Sequence, residues 1–401
     1  MMKTFFELFV ILVLVHTLAP LALTAEEETV LIKSSTNYHH NEDRLKSDAA
    51  PDVFLGGSTN PTTWRADIAI PTLEKWGISF YNPQVTIWTP DLIEPENRRK
   101  EEACVLFFVI DSQTRAVASS IEVAYIAGHD PKKLVLVINP YKPGQCISNE
   151  PISPEEYLEL NSNQEMLREL VVRRSVPISN EVLSGLHQTR AIITGDSSVP
   201  ISYQQELLLN DDKKSFDLRD IYVDGISSLR TNWRNKVISM LKRAKVTYYM
   251  PQNNLNVRLY NQSLLESSRV LLFFIASESR SLATMTLAAH YIGLGYNIVL
   301  YIKELKDGCT IENDRLTKIA VNDYNRGRYY LRDVAKLNKI PVFDDLENAT
   351  RFTIEKLKSV GIDPAQSLAV PNNYLKTLGI RSFINFQHKL LAICMLFALF
   401  S

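Results

Sequence analysis

The chain has 401 residues, 45% of them hydrophobic and 22% charged, which is the balance of a folded globular protein and excludes a disordered one. Lys plus Arg number 44 and Asp plus Glu 45, for a net charge of -1, so the strong positive excess of a nonspecific nucleic-acid binder is absent. Only 14 Gly and 4 Cys exclude a collagen-like chain and a disulfide-built scaffold.

Residues 1–25 read as a secretory signal. Lys3 precedes an apolar stretch from Leu8 to Leu23, and small Ala25 stands before Glu26-Glu27-Glu28. An uncleaved anchor is the alternative. Residues 26–51 are polar and read as a stalk; the His39-His40 pair has no further ligand nearby, and no metal or cofactor is expected. At the other end, residues 359–401 finish in the apolar run Leu390–Phe400. It fits the tail of a GPI-attachment signal, with Gly379, Ser382 and Asn385 as candidate attachment positions; the alternative is a docked amphipathic helix. Together the ends predict a secreted or cell-surface protein, with membrane attachment through the C-terminal tail. The sequons Asn261-Gln262-Ser263 and Asn348-Ala349-Thr350 fit that setting.

Between the ends the chain repeats itself. Asp52–Ser58 recurs as Asp220–Ile226, Trp64-Arg65 as Trp233-Arg234, and Phe80–Gln84 as Tyr248–Gln252. Val105–Val109 recurs as Leu271–Ile275, Leu134–Ile138 as Ile298–Ile302, and Val176–Ile178 as Ile340–Val342. The shared order and small gaps mean a duplicated domain, 52–194 and 220–358, joined by a linker over 195–219. The repeated runs have strand length, are rich in Val, Ile and aromatics, and lack polar alternation, as strands buried on both faces do. Helical patterns lie between them: 64–76, which Pro71 either kinks or shortens, Ser120–Ala127, and Pro154–Arg174 with Ser153 as N-cap and Glu156 completing a capping box. The alternation predicts an α/β fold of two tandem doubly wound parallel-sheet domains, Rossmann-like or flavodoxin-like.

Ligands of such sheets bind beyond the strand C-termini. Three segments of the first copy fall there. Gly56-Gly57-Ser58-Thr59-Asn60-Pro61 follows a strand and offers close backbone approach with hydroxyl and amide donors, or is an ordinary tight turn; it is neither GxGxxG nor a P-loop. Asn82-Pro83-Gln84 could read a base edge or simply turn. The third is Asp111 at the end of Val105–Ile110, with Ser119 and Glu122 beyond it. A Glu in the first helical turn is kept ionised by the helix dipole, as suits a carboxylate nucleophile; Ser119 and Glu122 also have the spacing of a capping box. In the second copy Ala288 or, with a one-residue gap, Leu287 replaces Glu122, and Ser277 or Ala276 replaces Asp111.

The segments Asp52–Arg65, Asn82–Gln84, Trp88–Leu92 and Leu106–Gly128 resemble the nucleoside 2-deoxyribosyltransferase-like family, in particular its animal branch. Asp111-Ser112-Gln113-Thr114-Arg115 through Ile121-Glu122-Val123-Ala124 is the most specific part. The resemblance implies that Glu122 attacks the anomeric carbon of a deoxynucleoside and that the Gly56-Gly57-Ser58 loop belongs to the sugar pocket. The family's Asp six residues before the nucleophile is replaced by Ala116, and its Gly-Thr by Ala118-Ser119. These departures imply a noncatalytic or weakly active regulatory protein that binds a small-molecule nucleoside or nucleotide, with a protein partner in addition and no nucleic acid. The alternative is a secreted N-glycosidase or nucleoside deoxyribosyltransferase with Glu122 as nucleophile. Asp111 would then stand in for the missing acid, and Gly56, Gly57, Ser58, Asn60, Asn82, Gln84 and Ser119 would line the ligand. The family's habit of completing sites across subunits implies that the two copies pack as a pseudo-dimer. Cys146 and Cys309 occupy matching loops, either as free thiols or as a bridge between copies.

Overall fold

The computed structural model describes residues 50–85, 89–196, 219–226, 233–251 and 262–360. The signal, the stalk to residue 49, the interior of the linker, Trp88, Asn261 and the apolar tail therefore lie outside the described residues. The chain divides into two units, Met1–Pro51 and Asp52–Ser401, and the described elements belong to the second.

The first copy runs β1 (Val53–Gly57), α1 (Ile70–Trp76), β2 (Phe80–Tyr81), α2 (Ile93–Glu102), β3 (Val105–Ile110), α3 (Val117–His129) and β4 (Leu134–Ile138). A small hairpin, β5 (Cys146–Ile147) and β6 (Glu150–Pro151), precedes α4 (Pro154–Val172), β7 (Ile178–Ser179) and α5 (Val182–Thr194). The second copy repeats the series with β8 (Arg219–Asp224), α6 (Trp233–Arg243), β9 (Tyr248–Tyr249), α7 (Gln262–Glu266), β10 (Ser268–Ile275), α8 (Leu282–Gly293) and β11 (Ile298–Ile302). Its hairpin is β12 (Thr310–Ile311) and β13 (Asp314–Arg315), followed by α9 (Lys318–Leu337), β14 (Val342–Phe343) and α10 (Leu346–Ser359).

Each copy forms a five-stranded sheet, β2-β1-β3-β4-β7 and β9-β8-β10-β11-β14, with every pairing parallel. The fold is thus α/β, with two tandem doubly wound sheets of flavodoxin-like strand order. Both copies clamp the start of the first strand to the second in the same way. The Ser79 N–H and hydroxyl donate to Asp52 Oδ2, as those of Thr247 do to Asp220 Oδ2.

Strand alternation divides the core. Val53, Leu55, Phe107 and Val109 face an outer layer with Trp64, Leu73 and Leu186. Phe54, Leu106, Phe108 and Ile110 face inward and join Tyr222, Leu271, Phe273 and Ile275 of the second copy in one continuous core. The helices α3, α4, α8 and α9 fill the space between the sheets, so the copies pack as the pseudo-dimer that the resemblance implied.

Two helix starts differ from expectation, and a third forms half of its expected capping box. Residues 64–76 split into a π-helical turn, Arg65–Ala69, and α1, whose first turn holds Pro71 where no N–H is needed. Helix α3 starts at Val117 rather than Ser120, behind Ala116 in a left-handed conformation (φ 45°) with no side-chain cap. Ser153 does cap α4, accepting from the Glu156 N–H at 3.1 Å. The Glu156 carboxylate does not return the bond; it accepts from Arg115 at 2.7 Å and from the Tyr324 hydroxyl of the second copy at 2.5 Å.

Candidate functional site

Residues expected to line one pocket fall into two places. At the switch point between β1 and β3, the glycines serve packing. A Cβ on Gly56 would stand 2.4 Å from the Phe108 ring; one on Gly57, whose φ is +106°, would stand 2.1 Å from the Val109 carbonyl oxygen. Ser58 is buried. Its N–H donates to the Val109 carbonyl at 2.7 Å and its hydroxyl pairs with Thr114 at 2.7 Å, while it accepts from the Asp111 N–H at 2.9 Å. The Ser58 carbonyl takes bonds from Trp64 and Arg65, and Arg65 also reaches the carbonyls of Leu55 and Gly57. Asn60 Oδ1 accepts from the Gln84 side-chain amide at 2.7 Å, and Asn82 Oδ1 from the Gln84 N–H at 3.1 Å. These strand-end groups are spent largely on one another.

Asp111 and Glu122 are not brought together. Asp111 Oδ1 accepts the Gln113 N–H at 2.8 Å in its own turn. Glu122 lies in the second turn of α3, not the first, so neither the dipole of the helix start nor a capping box with Ser119 describes it; no acid occupies that first turn, and Ser119 is buried within it. The specific run Asp111–Arg115 is instead pinned as a loop. The Tyr141 hydroxyl donates to the Thr114 carbonyl at 2.9 Å and the Gln145 amide to the Ser112 carbonyl at 2.6 Å. Arg115 reaches Glu150 at 3.3 Å, Glu156 at 2.7 Å and, across the copies, Asp323 at 3.1 Å.

The second copy mirrors this. Arg280 reaches Asp314 of its own hairpin and, across the copies, Glu159 at 2.7 Å. The cap hydroxyls cross too, Ser153 to Asp314 and Thr317 to Glu150, each at 2.9 Å. Left-handed Ala116 and Ser281 start the paired helices and fix the register. Counted from them, Leu287 stands in the place of Glu122 and Ala276 in that of Asp111, so both acids belong to the first copy alone. Cys104, Cys146 and Cys309 are all free thiols.

Glu122 points into a cleft of about 270 Å³ between α2, α3 and α9. Its carboxylate is ion-paired with Lys100, and both side chains are nearly nine-tenths buried. Lys100 Nζ also lies 4.0 Å from Glu96, 5.4 Å from the Phe54 ring centre and 5.9 Å from that of Tyr330. The Tyr330 hydroxyl, from the second copy, donates to Glu96 at 3.1 Å. Burial pushes the Glu96 carboxyl above the usual carboxylate range; Lys100 opposes this and the Glu122 charge reinforces it. Two carboxyl groups therefore share one ammonium. Asn97, which donates to Asp333 at 2.9 Å, and Tyr125 complete walls that offer amide, carboxyl and ring surfaces. Glu96, Lys100 and Tyr330 escaped the sequence reading. The four-residue spacing of Glu96 and Lys100 was a helix-pair signal, but nothing local marks Tyr330.

Fold and cleft together define a tandem doubly wound α/β protein with an acidic side chain held in a cleft between its copies. Residues 50–141 match the family described as nucleoside 2-deoxyribosyltransferase like, a span that holds β1 to β4 and Glu122. No curated protein matches the chain. A solved structure with some likeness is that of the TIR domains of the activated Roq1 resistosome directly recognizing the pathogen effector XopQ. It is 12% identical over 36% of this chain and 99% of that one, with a TM-score of 0.24.

Proposed function

We propose that the protein binds a nucleoside or nucleotide in the Glu122 cleft and turns it over weakly or not at all, in a regulatory role. The observation that carries this is the Lys100–Glu122 ion pair. A nucleophilic carboxylate must be free to form a bond to carbon, and here its charge is already neutralised by a side chain that is itself buried. Ala116 in place of the family's acid supports the same reading, as does the likeness of Asp111–Ala124 to the animal branch. The walls suit a nucleoside: tyrosine rings for stacking, and Asn97 and Asp333 for sugar or base hydrogen bonds.

The second reading, a secreted N-glycosidase or deoxyribosyltransferase, is favoured by the Glu96–Glu122 pair. Burial pushes the Glu96 carboxyl up beside Glu122, and two carboxyl groups in unlike surroundings are what retaining glycosidases use as acid and nucleophile. Incubation with deoxynucleosides, ribonucleosides and NAD separates the two readings. Thermal stabilisation by a nucleoside without base release supports binding. Base release by wild type and not by Glu122→Gln supports the enzyme, and neither effect removes both.

The proposed setting is outside the cell or on its surface, with the Leu390–Phe400 run as a GPI-attachment signal. Release from intact cells by a phosphatidylinositol-specific phospholipase tests the anchor.

A further inference from the structure

A second cleft, of about 580 Å³, opens where β4 and β7 end, at the far side of the first sheet from β1. Ile138, Pro140, Arg168, Ser179, Asn180 and Ser184 line it. Among the described residues the buried arginines are all engaged. Arg65 binds backbone carbonyls, Arg115 and Arg280 bind carboxylates, and Arg328 binds the carbonyls of Lys303, Tyr324, Ala276 and Ser279. Arg168 is different. It is half-buried on α4, yet among the described residues its guanidinium has neither a carboxylate nor a hydrogen-bond partner. Its acidic neighbours on the same helix are taken: Glu165 accepts from Asn161 at 2.8 Å and Glu169 pairs with Arg173 at 2.6 Å. Burial alone acts on Arg168, and it works against the charge.

A guanidinium desolvated in this way is stabilised by an anion, and its planar fork of donors matches the oxygens of a phosphoryl group. The exposed Ser184 and Asn180 line the same cleft, and their hydroxyl and carboxamide are neutral donors. The cleft belongs to strands β4 and β7 and shares no lining residue with the Glu122 cleft. We propose that it binds the phosphoryl group of a small phosphorylated molecule, held by Arg168 and flanked by Ser184 and Asn180.

The test is calorimetric titration of the full chain with glycerol 3-phosphate, inorganic phosphate and glycerol, at ionic strength held constant with chloride. Binding of either phosphate but not of glycerol is expected, with affinity falling at least tenfold in Arg168→Gln. Glycerol 3-phosphate binding more tightly than phosphate identifies an organic ester as the source; equal binding identifies the free ion. Ser184→Glu, a change on an exposed helix position, places a carboxylate in the cleft and is expected to abolish binding while leaving the unfolding temperature unchanged. Absence of binding, or binding that persists in both variants, overturns the proposal.

Discussion

Gly128 of α3 and Gly293 of α8 meet where the two helices cross. A Cβ on Gly128 would stand 2.4 Å from the His290 carbonyl oxygen and 3.1 Å from Gly293 Cα, and one on Gly293 would stand 2.4 Å from the Tyr125 carbonyl oxygen. The obstacle on each side is backbone, which cannot swing aside as a side chain can. Gly128→Ala is expected to destabilise by about 2–3 kcal/mol despite the better helix propensity of alanine. Gly128→Val should cost more still. Urea unfolding measures both, and an unchanged midpoint for Gly128→Ala would show that the helices can separate at no cost.

His290 sits beside that crossing, buried, with its Nδ1 3.1 Å from the Ala124 carbonyl oxygen. Burial lowers its pKa to about 4. The folded protein therefore resists protonation that the unfolded chain accepts near 6.5. The stabilisation is full above pH 6.5 and is lost as pH falls from 6.5 to about 4, by about 3 kcal/mol in all. Unfolding free energies across that range should show the loss, and His290→Gln should flatten this part of the profile.

Lys100→Met leaves Glu122 and Glu96 facing one another in a cleft mostly shut from water. An expected loss of about 2–4 kcal/mol reflects the uncompensated charge rather than the worth of the pair. Adding Glu122→Gln should recover most of it, because the second substitution removes that charge. A double-mutant cycle in urea reads the coupling, and additive losses would mean that the two side chains do not interact.

Arg115→Met leaves Glu150, Glu156 and Asp323 without their shared cation. A loss of about 3 kcal/mol is expected at pH 7. Burial already pushes the Asp323 carboxyl up, and without Arg115 to oppose it the folded state takes up a proton there first, so the deficit against wild type should shrink as pH falls from 7 towards 5. A deficit independent of pH would point to lost packing alone.

The sheets were legible because β3, β4, β11 and the Val270–Ile275 part of β10 are continuous apolar runs, and the duplication because those runs recur in order. Helix starts were less so. Ser and Glu near a helix suggest caps, yet α3 begins behind an alanine in a left-handed conformation, which leaves no chemical signature. Glu156 has the spacing of a cap and is drawn away by Arg115 and Tyr324, the latter far along the chain. The same limit hid Lys100 and Tyr330: a site built between copies takes residues whose nearness exists only after folding. At the glycine loop, Gly56 and Gly57 are required by Phe108 and Val109 whether or not a ligand binds there, so the two glycines do not by themselves mark a site.

The crossed ion pairs of Arg115 and Arg280 would, in an association of separate chains, hold only above some concentration. Here one polypeptide carries both halves, so the local concentration of each for the other is fixed by the connecting chain and dilution cannot part them. Parity also follows. Two identical subunits must present two equal acids, whereas this chain presents one Glu122 against one Leu287. On the proposed reading, ligand should therefore saturate the Glu122 cleft at one per chain.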